Sequence, residues 1–509
     1  MYRSTLAFLA ALTATLTLWV TDAGAADDRP NVLFIAVDDL RPEIECYGLP
    51  KMVTPNLDRL AAMGVRFDQA YCNIAVCGAS RASLMKGLRP TPSRFTSYLT
   101  RADEDAPDVP SLPFTFKQHG YSTASHGKIY HHRDDDLAAW SEPPAKPEIA
   151  SSWYALPENR PDNQGVPRRA NRTDNGEANA EGRGNANRRG RPQTQPRGPA
   201  YEAADVADSE YPDYKMCSGA IEDMRQMAQS DEPFFLACGF WRPHLPFVAP
   251  QKYWDLYPAD EVQLPANMFF PRDLSAAFKY NWAEMRAYRG IPKQGPVSDE
   301  QARDLIRGYH ASVSFIDAQV GRLLDELDTL GIADNTIVVL WGDHGWQLGE
   351  HGMWCKHTNF EVATRTPLLL AAPGFEGGRV SKRLVEYVDI YPTLCDLANL
   401  PKPEHLHGQS IVPLLKDIEA PFKDAVYTRH GGGDAVRTAD FCYMEMRAKG
   451  GSGELQGVGM FDLRKDPAEN QDISNDPAYA ENKERLEAML TENRRFAAES
   501  YSKPVGSRQ

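Results

Sequence analysis

Four stretches of the chain are apolar without alternation and have the length of a strand. They are Asn31-Val-Leu-Phe-Ile-Ala-Val37, Pro233-Phe-Phe-Leu-Ala-Cys-Gly239, Thr336-Ile-Val-Val-Leu-Trp341 and Pro367-Leu-Leu-Leu-Ala-Ala-Pro373. Runs of this kind predict strands covered on both faces, as in the middle of a parallel sheet. Shorter strands are predicted at Val65-Arg-Phe67 and Tyr121-Ser-Thr-Ala124. Between them the period changes to that of a helix. Thr54 at the N-cap, Pro55 after it and Gly64 at the stop frame one helix, with Leu57, Leu60 and Ala61 as its packing stripe. Met216, Ala220, Met224 and Met227 mark a second, where the Met stripe is core. Ser298-Asp-Glu-Gln301 reads as a capping box opening a long third, with Ile306, Tyr309, Val313, Ile316, Val320, Leu323, Leu324 and Leu327 on one face and Gly331 at its end. A fourth occupies residues 387–398. The alternation predicts an α/β fold, a large mostly parallel sheet flanked by helices. Beyond about residue 422 the strands are short (Ala425-Val-Tyr-Thr428, Phe441 to Met446, Gly459 to Leu463), and a last helix is expected from Pro477 to Phe496. The reading is therefore a large unit over 26–421 and a smaller C-terminal α+β subdomain, with an antiparallel sheet, over 422–509.

Two segments do not fit either pattern. Met1 to Ala25 has a basic Arg3, an apolar run from Leu6 to Val20 and an Ala23-Gly-Ala25 end, which reads as a secretory signal peptide. No later run approaches a membrane span, so export to a periplasmic or extracellular space (lysosomal in a eukaryote) is expected. Residues 157–199 are dominated by Asn, Arg, Gly, Pro and Gln and read as a disordered insertion.

The charge of −14 argues against nucleic-acid binding, so cations needed for an anionic substrate must be concentrated at a site. Eight Cys in an exported chain permit disulfides without fixing their pairing.

The candidate chemistry gathers where strands end. Asp38-Asp39 follows the first apolar run, at the C-terminal strand ends where open α/β sheets place their sites. His126, Lys128, His131 and His132 follow the Tyr121 strand, and His244 follows the Pro233–Gly239 run, between Pro243 and Pro246. Asp343-His344 follows Trp341 and Gly342, with Lys356 further on. The carboxylates of Asp38, Asp39 and Asp343 are hard donors suited to Ca²⁺ or Mg²⁺, while His344 leaves room for other ions. Arg81, Lys128, His131, His244 and Lys356 would ring such a metal with cations, an environment suited to a tetrahedral oxyanion. Cys77 stands where a loop turns into a helix that Gly87 stops, and a helix N-terminus is expected to lower its thiol pKa.

The wording Cys77-Gly-Ala-Ser-Arg81 with Gly87-Leu-Arg-Pro90 resembles the signature of the formylglycine-dependent sulfatase family. The resemblance extends over Asp38-Asp-Leu-Arg-Pro42 with Cys46-Tyr-Gly48, Gly127-Lys128 with His131, Pro243-His244, Gly342-Asp-His-Gly345 with Leu348-Gly-Glu-His351, Lys356 and Asn359-Phe360. Its wording is nearest to the branch acting on 2-O-sulfated uronates. The third signature position is Ala79 where the usual pattern has Pro, a variant known in the family with a different maturing enzyme.

The resemblance implies an alkaline-phosphatase-like fold and hydrolysis of a sulfate ester on a sulfated oligo- or polysaccharide. It implies Cys77 converted to formylglycine by a formylglycine-generating or related enzyme, and one Ca²⁺ held by Asp38, Asp39, Cys77, Asp343 and His344. It implies that Arg81 and Lys128 hold the hydrated aldehyde and sulfate. His244 and Lys356 would bind sulfate, one of them protonating the leaving oxygen, and His131 would help regenerate the aldehyde. His126 and His132 have no matching role. The competing readings are a phosphatase or phosphodiesterase of the same superfamily, and a non-catalytic binder of sulfated glycans.

Overall fold

The computed structural model describes residues 29–49, 51–144, 153–160 and 197–501. The signal-peptide reading of Met1 to Ala25, and residues 161–196 of the polar insertion, lie outside them. The insertion's described ends are packed: Asn159 donates to Glu202 at 2.8 Å and accepts from Arg289 at 2.8 Å. Among the described residues no helix is long and apolar enough to cross a membrane.

Seven strands form the main sheet. Their order is Arg379–Glu386, Val65–Tyr71, Leu368–Ala371, Thr336–Gly342, Asn31–Val37, Phe234–Phe240 and Ser122–Gly127. All pairings are parallel except those of Leu368–Ala371, which runs against both neighbours. The apolar runs take the middle of the sheet because both faces are covered. Leu33, Ile35 and Val37 face a core shared with the helices Pro55–Met63, Pro212–Met227 and Asp299–Leu330. Val32, Phe34 and Ala36 face a second core with Cys77–Lys86, Leu112–Gln118 and Ile390–Leu397. Each fully buried Leu, Ile or Phe in such a layer contributes about 1.5–3 kcal/mol.

Register is what positions the chemistry. Val37 is aligned with Phe240 on one side and Gly342 on the other, and Gly127 with Gly239. Asp38, Trp241, Asp343 and Lys128 therefore leave the sheet at one edge. Backbone bonds from Asp38 to Phe240 and from Asp343 to Val37, both 3.1 Å, fix the exit.

Several local expectations change. Ser298 accepts from Gln301 N at 3.2 Å, but the Gln301 amide reaches Gly290 O instead of closing the capping box. Thr54 does hold the N-cap position, with Pro55 after it and Gly64 at the stop, but its hydroxyl accepts from Glu45 N, and Asp317 of the long helix accepts from Asn56 N and Leu57 N in its place. Two strands carry no apolar signature. Arg379–Glu386 is an edge strand whose Arg379, Lys382 and Arg383 suit an exposed rim. Gly433–Arg437 is buried, but its Asp434 and Arg437 are held in ion pairs with Arg429 and Glu469.

That strand belongs to a four-stranded antiparallel sheet, Val426–His430, Gly433–Arg437, Phe441–Arg447 and Leu455–Asp462. One face places Ala435, Cys442, Met444 and Phe461 in the first core of the main unit. The other packs Val436, Tyr443 and Met460 on Leu486 and Leu490 of the helix Ala480–Glu499.

Candidate active site

Cys77 is the first residue of its helix and is only 1 % exposed. The helix is pressed close to its surroundings: a Cβ on Gly78 would stand 2.4 Å from the carbonyl oxygen of Tyr98. Ser80 Oγ donates to Asp343 O at 2.5 Å, tying the helix start to the end of the strand Thr336–Gly342. His344 Nε2 lies 3.2 Å from Cys77 Sγ. Its Nδ1 is 3.0 Å from Gly345 O, which can only accept, so Nδ1 carries the proton and Nε2 presents a lone pair to the cluster.

Three carboxylates and a set of cations surround that pair. Asp38, Asp39 and Asp343 are fully buried. Arg81 donates from Nε to Asp343 at 2.9 Å, lies 3.4 Å from Asp38, and donates to the carbonyl of Lys128. Lys128 Nζ is 2.5 Å from Asp38 Oδ2. A Cβ on Gly239 would meet Lys128 O at 2.2 Å, so only glycine lets the loop carrying Lys128 cross there. Lys356 Nζ is 3.3 Å from Asp39 Oδ1 and sits over the Trp346 ring at 4.9 Å. His244 Nδ1 donates to Leu245 O at 2.7 Å, leaving Nε2 on the cluster side, 4.0 Å from Asp39. Asp39, Cys355 and His357 hold φ of 63°, 72° and 37°, backbone strain that in non-glycine residues gathers where side chains must be aimed.

Glu284 was not legible in the sequence. It lies on the short helix Ala283–Arg286, which follows no apolar strand, and it meets three basic side chains: Lys356 at 2.9 Å, His244 at 3.1 Å and His357 at 3.5 Å. Its one available signal was a carboxylate among aromatic residues, Tyr280-Asn-Trp-Ala-Glu284.

The electrostatics follow from burial. Burial alone would raise Asp38, but Lys128, His244 and Arg81 hold its carboxyl well below the usual range. Burial and the neighbouring Asp38 charge push Asp39 well above it, despite Lys356. Burial opposes Lys356's charge, yet Asp39, Cys77 and Glu284 carry its ammonium well above its ordinary value. The helix N-terminus does not activate Cys77: burial and Asp38 push the thiol well up, opposite to the sequence expectation.

His131 is 7 % exposed and meets the Tyr98 ring edge-on at 5.9 Å; through Tyr98 it neighbours Gly78, next to Cys77. His126 is turned away, bonded to Asp223 at 2.7 Å, and His132 packs against His131 at 5.0 Å.

Donor atoms of Asp38, Cys77, Asp343 and His344 lie within 4.8 Å of one another, as do those of Asp38, Asp39, Cys77 and His244. Buried carboxylates of which one is forced towards neutrality fit a hard divalent cation, whose charge would relieve them.

The sulfatase family model matches residues 30–400, and one described as N-sulphoglucosamine sulphohydrolase, C-terminal, matches 349–496. The chain is 34 % identical over 416 residues to mouse iduronate 2-sulfatase, covering 74 % of this chain and 70 % of the relative. It is 33 % identical over 489 residues to a sulfatase of Formosa agariphila, covering 93 % and 89 %. A solved enzyme in complex with its substrate D-glucosamine-2-N,6-O-disulfate superposes with TM-score 0.67 at 23 % identity, over 92 % of this chain and 98 % of the other. The phosphonate monoester hydrolase of Silicibacter pomeroyi gives 0.71 at 22 %, over 92 % and 95 %. At such identities these two structures establish the fold alone. The family model, with identities above 30 % across most of two sulfatases, goes further: this chain belongs to the sulfatase family and is a sulfuric ester hydrolase.

Proposed function

We propose that the protein is exported and removes a sulfate group from a sugar of a sulfated glycan, using a formylglycine made from Cys77 and one Ca²⁺. The observation that carries this reading is the buried Cys77, 3.2 Å from the His344 imidazole, beside three carboxylates and under three cationic side chains. Formylglycine at position 77 would supply a hydrated aldehyde, one hydroxyl offering a nucleophile and the other a proton to be lost. Asp38, Asp39, Asp343, His344 and residue 77 would hold the Ca²⁺, which would supply positive charge for the sulfate oxygens.

The chain's own groups do the positioning. Arg81 is locked by Asp343 and the Lys128 carbonyl, so its guanidinium is a fixed donor beside residue 77. Lys128 faces the same point from the neighbouring strand end. Lys356 and His244 receive the sulfate from the other side, and one of them gives its proton to the leaving sugar oxygen. His131 would accept a proton from the hydrated residue 77. All of these lie in the 26–421 unit, against which the sheet of residues 426–462 packs. The partners are a sulfated oligo- or polysaccharide and a maturing enzyme that accepts Ala79. The test is release of free sulfate from defined sulfated sugars by the matured protein, with loss of release on Cys77→Ala.

A further inference from the structure

Tyr309 lies on the long helix Asp299–Leu330, where the sequence reads it as one residue of a packing stripe. Its ring does pack: it is fully buried and meets Phe247 edge-on, with centroids 5.7 Å apart. Its hydroxyl has a second task. It donates to Asp39 O at 2.8 Å and accepts from Arg41 N at 2.9 Å. One oxygen thereby satisfies the carbonyl and the amide on either side of Leu40.

The turn held in this way carries one of the three buried carboxylates. Asp39 has a φ of 63°, a left-handed backbone that a residue with a Cβ keeps only where its surroundings impose it. Two bonds impose it here, from opposite directions. Asp39 N donates to Asp343 Oδ1 at 2.9 Å on the sheet side, and Tyr309 takes the Asp39 carbonyl on the helix side. Leu40 is pressed on the strand Thr336–Gly342, since a Cβ on Gly342 would stand 2.4 Å from Leu40 O. The turn is clamped between sheet and helix.

The next residue of the helix holds the same segment further on. His310 Nε2 is 2.9 Å from Glu43, and Arg41 is paired with Glu350 at 2.8 Å and donates to Trp346 O at 3.0 Å. These contacts fix Arg41 and Glu43, the far end of the turn, and Tyr309 joins that end to Asp39.

Resting on the sulfatase and calcium reading above, we propose that Tyr309 is a positioning residue for the metal. Its hydroxyl keeps the Asp39 turn in the left-handed form that brings the Asp39 carboxylate within 4.8 Å of the donor atoms of Asp38 and Cys77. Without the hydroxyl, Asp39 O and Arg41 N lose their shared partner, and the turn relaxes towards an ordinary backbone and carries the carboxylate with it. Tyr309 acts through Asp39, so its effect falls on how tightly the cation is held.

The experiment titrates the matured protein, stripped of metal, with calcium against a chromophoric chelator, as wild type, Tyr309→Phe and Tyr391→Phe. Tyr391 is the control. It is equally buried but belongs to the opposite core, where its hydroxyl is 2.5 Å from Thr115 Oγ1 and donates to Ser111 O at 3.0 Å. Melting curves with and without calcium show that each variant folds and how far calcium raises its Tm. The expected Kd for calcium in Tyr309→Phe is at least about tenfold that of the wild type, while Tyr391→Phe stays within about twofold. Sulfate release by Tyr309→Phe recovers towards the wild-type rate as calcium saturates. An unchanged Kd in Tyr309→Phe, or the same rise in both variants, overturns the positioning role and leaves the sulfatase reading intact. A wild type that binds no calcium overturns the metal of that reading, and the positioning role with it.

Discussion

His344 Nε2 and Cys77 Sγ, 267 positions apart in the chain, stand 3.2 Å from each other beyond the C-terminal end of the central strand Thr336–Gly342. One belongs to the turn after the strand Thr336–Gly342, the other begins a helix of the opposite core, and Ser80 fastens the two through the Asp343 carbonyl. The pair is held by the sheet register and not by a flexible loop, so what occupies this point is coupled to the stability of the fold.

Removing a divalent cation is therefore expected to destabilise the protein. Asp38, Asp39 and Asp343 are fully buried, and without a metal burial and Asp38 push Asp39 towards its neutral form. At a calcium concentration 100 times its dissociation constant, binding adds about 3 kcal/mol. Scanning calorimetry after chelation should show a lower melting temperature that calcium restores. An unchanged melting curve would remove the metal from the account.

Glu284→Gln is expected to lower kcat by about ten- to a hundredfold, because Lys356 and His244 lose the charge that orients both. Glu284 acts through these two groups, so a pH profile of kcat is part of the test. Displacement of its limbs along with the fall marks a positioning role; a raised KM with kcat and profile unchanged would contradict it.

A second buried carboxylate sets acid stability. Glu386 is bonded by Arg89 and Lys423, and these hold its pKa at about 2 against the burial that would raise it. The folded value lies below the unfolded one, so the contribution is present above about pH 4.5 and is lost as pH falls towards 2. Its size is on the order of 3 kcal/mol. Glu386→Gln should melt well below the wild type at pH 6, and the gap should close on acidification. A gap constant with pH would show that Glu386 is not the group concerned.

The sequence carried the centre of the sheet and the centre of the site for the same reason. Strands covered on both faces must be apolar throughout, so Asn31–Val37 and Thr336–Gly342 stand out, and the polar residues directly after them are conspicuous. Asp38, Asp39, Asp343 and His344 are found this way, with Cys77 and Arg81 marked by their own motif. Edge strand Arg379–Glu386 and strand Gly433–Arg437 were hidden because exposure and ion pairs, not apolar side chains, satisfy them. Glu284 was hidden because its partners, Lys356 and His244, come from distant segments that only the fold brings together. The N-cap position of Thr54 was legible, but its capping bond was not, since Asp317 supplies it from another helix.

Free sulfate released from a sulfated sugar by wild type and Cys77→Ala, prepared alike and with residue 77 checked by peptide mass, tests the central claim most directly. The account expects release only from protein whose residue-77 peptide is lighter by about 18 Da than its cysteine form, and none from Cys77→Ala. Equal release by the variant, or full release from protein carrying only the unmodified thiol, would contradict it.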